Sequence, residues 1–206
     1  MRTALWLPAL AVALGPLAAQ SQAVGTVWNW GLIGGVNLST ITGGDEGSDT
    51  KMGFVGGLTT QMRINSMWSF NGEAHYSMKG AKSSDGGSTA TFSLDYVEVP
   101  LLFRGMKETG EMKPFIEFGA APAFKLRCKV EAEGGGLSVS GDCDDDQNFN
   151  INGFDLGLVG GAGIEWTAMG RPWTLGARYT WGMLKLNDDG DGKNANIQFL
   201  LGFRFR

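Results

Sequence analysis

His75 is the only histidine in the chain, so any Ser–His or His–metal chemistry has to pass through it. Glu73 stands two residues before it, Ser77 two after, and Ser69 lies on the same parity. In an extended segment that spacing puts all four on one face, which could bring together a nucleophile, a base and an orienting carboxylate. No nucleophile motif surrounds them. The same parity, followed through the rest of the chain, collects ions: Arg63, Glu73, His75, Lys79, Glu98, Arg104, Glu117, Lys125, Arg127, Asp155, Glu165, Arg178 and Arg204. Isolated ions are too costly to bury, so a set that faces one interior must pair with itself. Four glutamates and four arginines at mid-strand positions are expected to neutralise one another, with His75 a hydrogen-bonded member of the network. Glycines of that parity, Gly57 and Gly161 among them, leave room for the long side chains. The alternatives are an open ion channel and an enzyme acting on lipid or peptide through His75.

The elements that position these residues are eight segments alternating apolar and polar with a period of two: 28–40, 52–64, 68–79, 91–104, 114–128, 154–166, 173–183 and 196–205. At about 11–14 residues each is long enough to cross a bilayer at a tilt. In the third, Trp68, Phe70, Ala74, Tyr76 and Met78 alternate with Ser69, Asn71, Glu73, His75, Ser77 and Lys79. Connections after the odd segments are long and polar, and those after the even segments are short. The aromatics sort by height. Trp28, Trp30, Trp68, Phe70, Trp166, Trp173, Phe203 and Phe205 fall at the end of the chain termini; Phe54, Tyr76, Phe124, Phe154 and Trp181 fall toward the other. Two aromatic girdles, an apolar outside and a charged inside predict an antiparallel eight-stranded up-and-down transmembrane β-barrel with a side-chain-filled lumen. A soluble carrier barrel would have the opposite polarity.

One segment breaks the alternation. Phe92, Leu94 and Tyr96 share one parity, but Val97, Val99, Leu101 and Phe103 share the other. A β-bulge near Asp95 to Val97 would produce this switch, as would apolar residues that simply face inward. Pro100 in the same segment removes a ladder donor, which strands tolerate at edges or bulges.

Of 206 residues, 17 are basic and 21 acidic, a net charge of −4, with no basic patch or helix; nucleic acid is not an expected partner. Mean hydropathy is −0.07, which argues against a helical membrane protein but not against a barrel that shows lipid every second residue. Residues 1–23 have the form of a secretory signal peptide: Arg2, an apolar stretch from Ala4 to Leu17, then Ser21-Gln22-Ala23 at the cleavage point. Cleavage after Ala19 and a membrane anchor are the other readings. The mature domain is then 24–206. Cys128 and Cys143, the only cysteines, are expected to form a disulfide in an exported chain, worth about 3 kcal/mol in the chain-entropy view. Asn187 to Gly192 imitates the front of an EF-hand loop, but position twelve is Gln198, and Asp142 to Asp146 is a similar acidic stretch. Neither is expected to form a metal site, and no cofactor is expected.

Tyr96-Val97-Glu98-Val99-Pro100-Leu101-Leu102-Phe103-Arg104 resembles the Y-L-E-I-P-L-L-x-K strand of PorT-like outer-membrane β-barrel proteins. Lys113 to Gly119 is similar to that family's K-P-Y-I-E-x-G strand, and Gly31 to Leu38 to its opening G-x-x-x-G-x-N strand. The resemblance spans essentially the whole mature chain and implies a bacterial outer-membrane protein inserted by the barrel-assembly machinery. Phe205 stands in for the usual terminal aromatic, since Arg206 follows it. The expected role is non-enzymatic: a structural element, an adhesion surface or an accessory to secretion. Its partners would be outer-membrane lipid and a surface or secretion-complex protein.

Overall fold

The computed structural model of the protein describes residues 28–43, 49–108, 110–135, 137–143, 151–186 and 191–205. The expected signal peptide, residues 1–23, lies outside them, as do residues 144–146 of the acidic stretch and 187–190 of the EF-hand-like loop. Ten strands follow in order: β1 (Trp28–Thr42), β2 (Asp49–Arg63), β3 (Trp68–Asp85), β4 (Ser88–Glu98), β5 (Leu101–Met106), β6 (Met112–Gly134), β7 (Leu137–Asp142), β8 (Phe154–Ala168), β9 (Arg171–Gly182) and β10 (Lys193–Arg204). Every pairing is antiparallel. β1 pairs both β2 and β10, and β2 pairs β3, so the sheet closes on itself. β4 and β5 are one strand broken at Val99-Pro100, and β7 hangs off β6 outside the ring. The result is a barrel of eight staves.

Register fixes its shape. Partner by partner, Trp28 leads to Met62, Phe70, Phe103, Phe118, Gly160, Tyr179, Ile197 and back to β1 at Leu38, ten residues further along. A stagger of that size goes with strands tilted by about 35–45°. Residues on that path face outward and, Gly160 apart, are large and apolar. Leu32, Phe54, Leu58, Leu158 and Phe199 are also outward and exposed, whereas Asn37, Gln61, Glu73, Glu98, Arg178 and Gln198 are buried inside. This polarity is the reverse of a soluble carrier barrel.

The connections explain the register. At the rim that holds the chain ends, Asn65 Oδ1 accepts the backbone N–H groups of Met67 and Trp68 at 2.9 and 2.8 Å and tightens the β2–β3 turn. Met169 and Gly170 turn β8 into β9 with positive φ at both positions, as a two-residue primed turn requires. At the opposite rim, Gly86 and Gly87 do the same for β3 and β4. The expected long loop after the third segment is therefore a hairpin whose strands run on. β3 has 18 residues and β6 has 23, longer than the 11–14 or so that crossing needs. Above the ring, β3, β4, β6 and β7 rise as a four-stranded sheet with β7 at its open edge.

Rings meet at both heights. Trp173 packs on Phe203 and Phe203 on Phe205 near the terminal rim, with centroids 4.8 and 5.2 Å apart. Phe54 meets Tyr76 and Phe124 meets Phe154 near the other, both at 5.4 Å. Trp28, Trp30, Trp68, Trp181 and Phe205 are exposed on the wall, and Tyr76, Trp166 and Trp173 are partly so.

The fourth segment decides between its two readings in favour of apolar residues that face inward. β4 pairs β3 without a shift from His75↔Glu98 to Asp85↔Ser88, so Phe92, Leu94 and Tyr96 simply face inward. The bulge is on the partner: Asp95 opposes Arg127 and Tyr96 opposes Lys125, leaving Leu126 extra in β6. That extra residue reverses parity beyond it. Arg127, expected inside, points out with its side chain 60% exposed, and Cys128 turns in.

Candidate functional site in the barrel lumen

Alternation delivers the ionic side chains to the lumen from four staves, and they join into one chain of contacts. Arg178 on β9 donates from both terminal nitrogens to Glu73 on β3, at 2.6 and 2.7 Å, and from Nε to Glu117 on β6. Arg104 on β5 donates to the other oxygen of Glu117 from Nε and a terminal nitrogen, at 3.0 and 2.8 Å. Its guanidinium also lies over the Phe115 ring, 4.1 Å from the centroid. On the loop side, Glu98 accepts from Lys79 and shares a 2.9 Å hydrogen bond with His75 Nε2. His75 Nδ1 lies 3.7 Å from Glu73, which links the two halves. His75 aside, three carboxylates meet three cations. Bidentate and bridged contacts of this kind satisfy most lone pairs, the condition under which buried ions persist. A side chain at Gly161 would strike Arg178, and one at Gly57 would strike His75 and the backbone behind it.

Other expected members sit apart. Arg204 and Glu165 form their own buried pair nearer the terminal rim. Arg63 is at the rim itself, 38% exposed and paired with Glu108, so Lys79 takes the place expected of it in the balance. Asp155 is held by Asn194 Nδ2 at 2.8 Å rather than by a cation. Lys125 donates to the Ile151 carbonyl. Neutral amides that sequence reasoning passed over fill the gaps: Asn196 donates to Asn37, Asn37 to Ser77, and Gln198 to Glu98. Their signal was available, since each has the inward parity of its strand.

A second layer lies toward the loop rim. Leu94, Tyr96, Ala123, Cys128, Cys143 and Leu186 form a buried apolar cluster, joined by Phe92, Val130, Ile41 and Ile151. Cys128 and Cys143 are bonded as expected, with Cα atoms 5.3 Å apart, and tie the segment after β7 to the wall. The lumen is thus filled by charge at mid-height and by hydrocarbon above it.

His75 has a side chain with no exposed surface. The Ser77 hydroxyl is engaged by Asn37 and that of Ser69 by Gln61. Neither serine is paired with the imidazole, and the apolar layer stands between His75 and the loop rim. The arrangement can hold charge in place.

Against known proteins, a family described as outer membrane protein beta-barrel domain matches residues 18–188. No curated protein matches the chain. Solved structures with a similar fold include the attachment invasion locus protein Ail of Yersinia pestis, at 17% identity over 86% of this chain and 98% of that one, TM-score 0.44. Neisserial surface protein A aligns at 15% identity over 85% and 97%, TM-score 0.49. The outer membrane enzyme PagL aligns at 17% over 87% and 99%, TM-score 0.42. At these identities and scores the likenesses transfer no function.

Proposed function

Because the chain belongs to the outer membrane protein beta-barrel domain family and resides in the bacterial outer membrane, we propose that it is a non-enzymatic barrel whose external sheet is a recognition surface, serving adhesion or a secretion complex. One observation carries this reading: β7 is an exposed strand paired on one side only. Among the described residues the other edge of its backbone makes no ladder, and Leu137 and Val139 are 76% and 69% exposed. An open strand without proline or bulge is a ready template for another strand, and it needs no pocket to bind one. The sealed lumen supports the non-enzymatic part, because substrate cannot reach His75. Lipid covers the wall and the assembly machinery inserts the barrel. The motifs at Tyr96–Arg104 and Lys113–Gly119 favour the PorT-like branch. A signal peptide cleaved after Ala23 completes the proposal, and N-terminal sequencing of the mature protein checks it.

The test is display of the full chain on bacterial cells, beside a variant in which residues 131–140 are replaced by a short turn. Aggregation and surface attachment should fall with the variant while its unheated gel band still runs as a folded barrel. Equal attachment by both, or none by either, would remove the recognition role.

A further inference from the structure

On the lipid-facing wall near the terminal rim, whose short turns are of the kind that outer-membrane barrels keep in the periplasm, one outward row lacks a side chain in the middle. Trp68 on β3, Gly105 on β5 and Ile116 on β6 are directly paired across three staves. Two large residues thus stand about 10 Å apart, two strand spacings, and between them only the edge of the Trp68 ring leans over Gly105. The result is a groove of about 450 Å³, floored by Gly105 with Met106 and Phe115 beneath, and with Lys107 at its mouth. One step toward the membrane centre, Phe70, Phe103 and Phe118 pack ring on ring, with centroids 5.5 and 6.1 Å apart, and close the upper end. Lys107 is exposed and has no carboxylate partner among the described residues, whereas Arg63 at the same rim is paired with Glu108.

We propose that this groove holds an acyl chain of one anionic phospholipid of the periplasmic leaflet, its phosphate at Lys107. The apolar walls select a hydrocarbon tail, and the unpaired ammonium selects a negative head beside it. Position selects lipid over protein. The groove opens on the face that the bilayer already covers, at the height of the Trp68 girdle where headgroups lie, so a lipid enters without leaving the membrane.

Native mass spectrometry of the full barrel in detergent, titrated with phosphatidylglycerol or phosphatidylethanolamine of the same acyl chains, reads the site directly. One retained phosphatidylglycerol is expected, preferred about fivefold, the effect of a single lysine at an anionic surface. Lys107→Gln should bring the two lipids to near equality. Gly105→Leu should lower retention of both, since the new side chain fills the groove and only the edge of the Trp68 ring must give way. Equal retention by the wild type, an undiminished preference in Lys107→Gln, or a species of twice the mass occupying the wall would each overturn the proposal. If Gly105→Leu does not fold, the Lys107→Gln comparison decides alone, because that side chain supports nothing else.

Discussion

Arg178→Leu is the sharpest perturbation of the lumen. It deletes the cation that joins Glu73 to Glu117. Glu117 keeps Arg104 and its two hydrogen bonds. Among the described residues Glu73 keeps only His75 Nδ1, at 3.7 Å and beyond hydrogen-bond reach. One carboxylate with no exposed surface is therefore stranded, and breaking a buried pair from one side costs about 3–5 kcal/mol. With a urea slope of about 2 kcal/mol per molar, the unfolding midpoint should drop by about 1.5–2.5 M. The assay is refolding into lipid vesicles across a urea series, with the folded fraction read from unheated gel migration. The double variant Arg178→Leu with Glu73→Leu should regain most of the loss, because it removes the stranded charge and leaves Glu117 paired. A midpoint unmoved in the single variant, or a double variant no better than the single, would refute the pairing account. Neither variant should conduct in a planar bilayer, since the apolar layer above is untouched. A clear single-channel current would refute the plug.

Replacing Cys128 and Cys143 together with serine should lower the midpoint by the equivalent of about 3 kcal/mol, the chain-entropy value for a loop of this separation, and should hasten proteolysis of the external segment in a barrel that still shifts on heating. Leu94→Ala should cost about 2–5 kcal/mol as a core cavity, while Val99→Ala on the lipid side should cost well under half of that; equal costs would contradict the inward register of β4. Deleting Leu126 should leave the disulfide oxidised on a non-reducing gel and the folded band intact, because the deletion removes the bulge and keeps Lys125 and Cys128 inward.

Most of the barrel was legible because a period of two survives translation into structure without loss. Once a strand alternates, its faces are settled, and closure needs only the count of staves and the lengths of the connections. Glu73, Glu98, Glu117 and Arg178 are buried on stretches where the parity runs unbroken. Arg127 was misplaced because the bulge that turns it out is a property of the pair β4–β6, while the visible symptom, the apolar run Phe92-Leu94-Tyr96, lies on the other strand. Sequence shows that parity and hydrophobicity disagree; only pairing says which strand gives way. Arg63 lies at the rim while Lys79 is buried for a related reason. Both have inward parity, but height along the stave decides burial, and Arg63 is the last residue of β2. The length of β6 was missed because its upper part, Lys129 to Gly134, carries charge outward into water and reads as loop.

The two layers of the lumen also bear on where recognition can lie. A single charged layer would leave the loop rim wet and open to ions that compete for its pairs. Burial of Leu94, Tyr96 and the disulfide above Glu98 removes that water, so the Lys79–Glu98–His75 group is insulated on the side from which a substrate would come. The wall below the rim is committed to lipid, and the turns at the terminal rim are short. The external sheet remains, and it differs from the barrel in one physical respect. Within the ring every strand has two partners, whereas β7 has one, with backbone hydrogen-bonding capacity left on its free edge. On the proposed reading a partner strand adds at the free edge of β7, which is why replacing residues 131–140 tests that role more directly than any substitution in the lumen.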